Sequence, residues 1–285
     1  MPPAAAAAAV GGRSSDAIGV FDSGVGGLSV LGALRTELPL EKFVYVADSG
    51  HSPYGERDDN HVIARSHAIA RYLVAQHHIK ALVVACNTAT AAAIKLLRQD
   101  FPELPIIGIE PALKPAAQLS QTKCIGVMAT RGTLNSEKFL TLLTGLQDQA
   151  RFVLQPCDGL ADAIEHADAT KTIAACEYST GAMGQFGLEK DAMDTLVLGC
   201  THYPFASDIL RSLVGPDVAL LEGGAPVARQ TRRMLAERGW LLQASHDTSD
   251  APNPVFVTTG STTNLQAAVD RWLHVKSTVQ SCTIV

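Results

Sequence analysis

The sequence predicts an α/β protein of two similar domains, each a parallel-type sheet flanked by helices, with the functional site in the cleft between them. Three observations lead there. Short β-branched runs alternate with helical patterns along most of the chain. The runs are nearly continuously apolar, as strands covered on both faces must be. The chain also echoes itself. "IGVFDSGVGGLSVLGAL" at 18–34 is matched 107 residues later by "IGVMATRGTLNSEKFL" at 125–140, and the cysteines of "VVACNTAT" (83–90) and "LVLGCTHY" (196–203) lie 114 residues apart. Similar offsets point to two βα units of one topology.

In chain order, strands are expected at "AIGVFD" (17–22), "KFVYVA" (42–47), "ALVVA" (81–85), "PIIGI" (105–109) and "CIGVM" (124–128). They continue at "RFVLQ" (151–155), "DTLVLG" (194–199), "VALL" (218–221) and "PVFVTT" (254–259). Helical patterns fall between them, at 26–37, 59–76, 89–99, 134–144, 159–167, 204–213 and 224–237. The alanine-rich start, residues 1–16, has no basic lead and is too short to span a bilayer, so it is expected to be a disordered tail. Residues 276–285 are expected to form a weakly ordered C-terminal tail.

With 285 residues, 47% of them hydrophobic, the chain can bury substantial cores. A formal charge of -5 with interspersed signs gives no basic footprint, which argues against nucleic acid or an anionic membrane and for a small-molecule partner. Six cysteines, at 86, 124, 157, 176, 200 and 282, include no C-x-x-C pair, so the reading is reduced thiols in a cytoplasm, with neither a disulfide scaffold nor a zinc site. His51, His61, His67, His77 and His78 have no metal-ligand spacing, and most are expected on the surface of a long helix. No metal and no cofactor are expected.

Ligands of open parallel sheets collect beyond the carboxyl ends of strands, where both repeated cysteines fall. Cys86 and Cys200 are therefore expected on opposite walls of one cleft. Either alone reads more often as a small core residue, and it is the repetition that weakens that reading. Asn87 and Thr88 after the first, and Thr201 and His202 after the second, can hold a polar ligand or cap a helix. A thiol brought near neutrality by a cation or helix dipole can donate or accept a proton. Two of them across a carbon centre can remove a proton from one face and deliver one to the other, which is racemisation.

Asp22 ends the first strand, where it can steer the first cysteine, grip an ammonium group or cap the next helix. His202 can stabilise a thiolate at Cys200 or relay protons. "SGVGG" (23–27) can offer backbone N–H groups to a carboxylate or form only a tight turn, and it fails the dinucleotide pattern because Ser29 stands where a third glycine is needed. "SPYG" (52–55) can cover the cleft. A cysteine hydrolase using Cys200 and His202 is an alternative, but residues two apart at a strand end need not meet, and it leaves Cys86 without a role. A ligand-binding protein without chemistry and a racemase of aspartate or another small amino acid are further alternatives.

The blocks "IGVFDSGVGGLSVL", "FVYVADSGHSPYG", "ALVVACNTATA", "IIGIEPALKPA", "IGVMATRGT", "LVLGCTHYPF" and "APVARQTRRML", in this order over about residues 17–273, resemble the glutamate racemases among the cofactor-independent amino-acid racemases. The resemblance implies interconversion of L-glutamate and D-glutamate, the latter for peptidoglycan, and often a homodimer. It makes Cys86 and Cys200 the paired proton acceptor and donor, with Asp22 and His202 auxiliary. It assigns Asp22, Ser23, Tyr54, Gly55, Asn87, Thr88, Thr201, His202 and Glu165 to substrate binding. It also implies a first domain of 17–111 plus 222–275 and a second of 112–221. The N-terminal extension and the "DSGH" before "SPYG" depart from the family's firm blocks.

Overall fold

The computed structural model describes residues 14–243 and 252–285. The first sheet is built from β1 (Ile18–Asp22), β2 (Phe43–Ala47), β3 (Ala81–Val84) and β4 (Ile106–Gly108), linked by helices α1 (Leu28–Glu37), α2 (Asp59–His77) and α3 (Asn87–Asp100). After α4 (Leu113–Leu119) the second sheet begins, with β5 (Cys124–Ala129), α5 (Arg131–Leu134), α6 (Glu137–Thr144) and β6 (Arg151–Pro156). It continues through α7 (Leu160–Glu165), α8 (Ala169–Met183), β7 (Thr195–Leu198), α9 (Ser207–Val214) and β8 (Ala219–Leu221). The chain then returns to the first sheet with α10 (Gly224–Glu237), β9 (Val255–Thr258), α11 (Thr262–Trp272) and β10 (Val279–Ser281).

The strand orders are β10-β9-β2-β1-β3-β4 and β6-β5-β7-β8, and every pair within both sheets is parallel. The run β2-β1-β3-β4 has the same arrangement as β6-β5-β7-β8, so the internal echo is a repeat of topology. β1 and β5 are the corresponding inner strands, and both are buried along their whole length. Alternate residues of the first sheet enter opposite cores: Ile18, Val20, Phe43 and Tyr45 pack in one, Phe21, Val44 and Val46 in the other. That division is the period-2 geometry of a strand covered on both faces.

All nine expected strands are present. The expected helix 134–144 is two helices, because Ser136 leaves the helical path and caps α6 by accepting the Phe139 amide at 3.2 Å. The C-terminal tail is corrected. β10 pairs with β9, and Ile284 is buried against the first sheet, since a three-residue strand with Val279 turned into the core suffices to extend an existing edge. Of the N-terminal tail, residues 1–13 lie outside the described region, whereas the Ser14 and Ser15 carbonyls accept hydrogen bonds from Lys80 and Lys42. Among the five histidines only His78 is exposed; His67 turns inward and pairs with Asp100 at 2.9 Å.

Candidate active site

Both cysteines sit just past the carboxyl ends of corresponding strands, Cys86 after β3 and Cys200 after β7, and both line one cavity between the two sheets. Cys86 is itself the N-cap of α3: its backbone is extended and its Sγ accepts the Ala89 N–H at 3.5 Å. Asn87 and Thr88, free of capping duty, begin the helix and line the cavity. The Asn87 side-chain oxygen is buried without a hydrogen-bond partner among the described residues. Burial, then the nearby Asp22 carboxylate, pushes the Cys86 thiol well above its ordinary value. At neutral pH the Cys86 thiol is therefore protonated.

Cys200 has a different neighbour. Its Sγ lies 3.7 Å from His202 Nδ1, so residues two apart do meet here, because the chain turns directly into a 3-10 turn at 203–206. His202 Nε2 stands 2.8 Å from Glu165 Oε2. Burial alone would lower the imidazole, but hydrogen bonds to Cys200 and Glu165 prevail and raise it well above the ordinary histidine value. Glu165 moves the other way: burial pushes its carboxyl up, but His202 and the donors of Val25 and Ser49 hold it below the usual range. The result is a buried row of carboxylate, imidazolium and sulfur.

The glycine-rich loop explains itself through these carboxylates. Glu165 Oε2 accepts the Val25 amide at 2.7 Å and its Oε1 accepts Ser49 Oγ at 2.9 Å. Asp22 Oδ2 accepts the Gly27 amide at 2.8 Å. The loop therefore holds carboxylates of the protein itself, which leaves those amides committed rather than open to a ligand. Side chains at Gly24 and Gly26 would collide with Glu165 and His202 respectively, so both positions require the bare backbone. Asp22 is fully buried, and burial raises its carboxyl above the ordinary value despite the His202 cation.

Of the residues singled out from sequence, Ser23, Tyr54, Gly55, Cys86, Asn87, Thr88, Cys200, Thr201 and His202 line the cavity. Asp22 and Glu165 stand behind them: Thr201 Oγ1 lies 3.5 Å from Asp22 Oδ1, and Glu165 backs His202. Tyr54 is fully buried and its hydroxyl donates to Asp48 at 2.6 Å, so its contribution to the cavity is shape. The sequence reading missed Thr130, Thr133, Arg131, Cys157 and Asp158, which also line the cavity. A hydroxyl chain runs from Thr88 to Thr130 (3.3 Å) and on to Thr133 (3.0 Å), joining α3 beside the first sheet to α5 beside the second. The repeat held the signal for one of these: Thr130 lies 107 residues after Ser23, the offset of the first echo. Burial pushes the Cys157 thiol up to about 12, so it rests protonated.

Residues 30–231 match the sequence pattern of the family described as Asp/Glu/Hydantoin racemase. The chain belongs to that family. It is an isomerase, a racemase. Similar proteins within the Asp/Glu/Hydantoin racemase family include the glutamate racemase of Ectopseudomonas mendocina, 50% identical over 225 residues, 79% of this chain and 84% of that protein. The glutamate racemase of Cupriavidus pinatubonensis is 44% identical over 271 residues, 94% of this chain and 95% of the relative. Among solved structures, a glutamate racemase isoform of Bacillus anthracis superposes with a TM-score of 0.81 at 32% identity, covering 95% of this chain and 99% of that one. The Escherichia coli glutamate racemase, solved in complex with L-glutamate and the activator UDP-MurNAc-ala, gives 0.80 at 28% identity over 96% of this chain and 100% of that one.

Proposed function

We propose that the chain interconverts L-glutamate and D-glutamate by a two-thiol mechanism, and the observation that carries this is the presence of Cys86 and Cys200 on one cavity with unlike partners. Cys86 rests as a buried thiol, while Cys200 has the His202 cation beside it. With the substrate α-carbon between them, a Cys200 thiolate takes the α-proton, and the electron pair left on carbon takes the proton of the Cys86 thiol on the opposite face. One C–H and one S–H bond break and one of each forms. Cys86 is left as thiolate and Cys200 as thiol, ready for the reverse reaction.

Each general acid or base of this kind contributes roughly 10²–10⁴-fold. Asn87, with its unpartnered oxygen, suits the substrate ammonium group. Thr88, Thr130, Thr133 and Arg131 supply donors for carboxylates. The choice of glutamate rests on the relatives named above. The same reading includes supply of D-glutamate for peptidoglycan, a cytoplasmic homodimer, no cofactor, and lobes of 17–111 with 222–275 and 112–221. Among the described residues no helix is long and apolar enough to cross a membrane.

The test is proton NMR of the protein with L-glutamate in deuterated water. Wild type is expected to exchange the α-proton and invert the centre, and Cys86→Ala and Cys200→Ala are each expected to lose at least about 10²-fold of inversion. Absence of exchange with glutamate but turnover of aspartate would replace the substrate assignment, and unchanged inversion in either variant would sink the two-thiol reading.

A further inference from the structure

The loop that covers the cavity is held from an unexpected direction. Asp48, at the end of β2, is fully buried and its carboxylate receives four donors. Tyr54 Oη gives one at 2.6 Å and Thr259 Oγ1 one at 2.8 Å. Arg65 of α2 gives two, Nε at 3.0 Å and Nη2 at 2.9 Å. The remaining Arg65 nitrogen, Nη1, donates to the carbonyl of Ile284 at 2.8 Å. Ile284 is the penultimate residue, and its side chain is buried in the same apolar cluster as Tyr54 and Cys86. Its place is set by β10 on β9 and by the Cys282 amide, which donates to the Thr258 carbonyl at 2.9 Å. Thr259 joins the same point from the other side, because its Oγ1 accepts the Gly50 amide at 3.1 Å while donating to Asp48.

We infer that the C-terminal segment 279–285 is a positioning element of the active site, holding the cavity-lining residues 52–55 through the relay Ile284 carbonyl, Arg65, Asp48 and Tyr54. The geometry leaves little slack in this relay. A guanidinium bound in a fork to a carboxylate has one orientation, and the third hydrogen bond to Ile284 fixes the plane of that fork. The Asp48 oxygen that receives Tyr54 is then fixed as well, and with it the turn whose Ser52, Pro53 and Gly55 form the cavity wall. Ile284 touches no substrate in this scheme. Its role is to keep the binding wall formed before substrate arrives, which acts on ground state and transition state alike and so on KM more than on kcat.

This inference rests on the proposed glutamate reaction for its kinetic readout but not for its structural one. The test compares wild type, a chain ending at Ser281, Arg65→Met and Arg65→Lys. The truncated chain and Arg65→Met are expected to raise KM for L-glutamate about tenfold, as loss of a charge-assisted hydrogen bond would, while kcat changes less than about threefold. Arg65→Lys, which keeps the charge without the fork, is expected to fall between them and wild type. Amide hydrogen exchange read in the same proteins is expected to quicken at Tyr54, Gly55 and Glu56 while β1 and β5 keep their protection. Wild-type protection at residues 54–56 in the truncated chain overturns the inference, as does an equal loss of protection throughout both lobes. If wild type fails to act on glutamate, the functional reading falls, and the exchange result still decides this one.

Discussion

His202 Nε2 stands 2.8 Å from the same Glu165 oxygen that accepts the Val25 amide at 2.7 Å, so one carboxylate both charges the histidine beside Cys200 and ties the second lobe to the glycine-rich loop of the first. Glu165 is thus a positioning residue acting through His202. Glu165→Gln keeps the shape and removes the charge. The His202 cation loses part of its support, its titration moves down, and the alkaline limb of kcat/KM is expected to shift to lower pH, with a loss at neutral pH of about ten- to a hundredfold. A pH–rate profile of the variant checks this, and an unmoved alkaline limb would remove Glu165 from the proton circuit.

The same pair predicts how stability depends on pH. Glu165 binds its proton less readily folded than unfolded, so its contribution is present above the unfolded carboxylate range and lost as pH falls through the lower folded value. His202 binds its proton more readily folded, so its contribution is full below the unfolded imidazole range and lost as pH rises through the raised folded value. Urea unfolding followed across pH is expected to show a plateau that declines on both sides. In Glu165→Gln the acid-side decline should shrink, and the plateau should drop by about 3–5 kcal/mol because a buried partner is left unpaired.

What the sequence disclosed and what it hid divide along physical lines. Most strands were legible because both faces are buried, β6 and β8 because their apolar runs persist although they are only partly buried, and the cysteines because they recur at matching strand ends. Helix α8 was not, since its buried side includes Thr172, Ser179 and Thr180, which break the apolar period. β10 is three residues on a sheet edge, too short to register a pattern. Glu165 stands 140 residues from the amide it accepts, and no local spacing encodes such a contact. The loop amides were legible as carboxylate binders, but only the fold could show that the carboxylates are the protein's own.

Gly26 offers a direct probe of this closeness. A methyl group there would meet the His202 ring, which cannot retreat because Glu165 and Cys200 hold both of its nitrogens. Gly26→Ala is expected to cost more than about tenfold in kcat and about 1–3 kcal/mol in stability. Gly32→Ala in α1 is the matched control: the nearest atom lies 3.5 Å from its added carbon, and alanine in a helix interior is favoured by roughly 0.5–1 kcal/mol. Chemical unfolding together with steady-state kinetics on the two variants should move in opposite directions for stability and differ sharply in rate.

At the other end of the first sheet, Lys80 precedes β3 and its Nζ lies 2.6 Å from Glu41 Oε2, with both side chains buried. Lys80 also donates to the carbonyls of Ser14 and Trp240, and Glu41 Oε1 accepts the Leu242 amide at 2.9 Å. This pair gathers two distant chain segments, around Ser14 and around Trp240–Leu242, where the strands begin, while the cavity lies where they end. Lys80→Met is therefore expected to destabilise the fold by about 3–5 kcal/mol, since it strands a buried carboxylate, and to leave kcat and KM unchanged well below Tm. Adding Glu41→Leu removes the stranded charge and is expected to restore part of the loss, a coupling that a double-mutant cycle in urea would measure. If the double variant is as unstable as the sum of the singles, the pair acts through separate contacts to the chain segments rather than through each other.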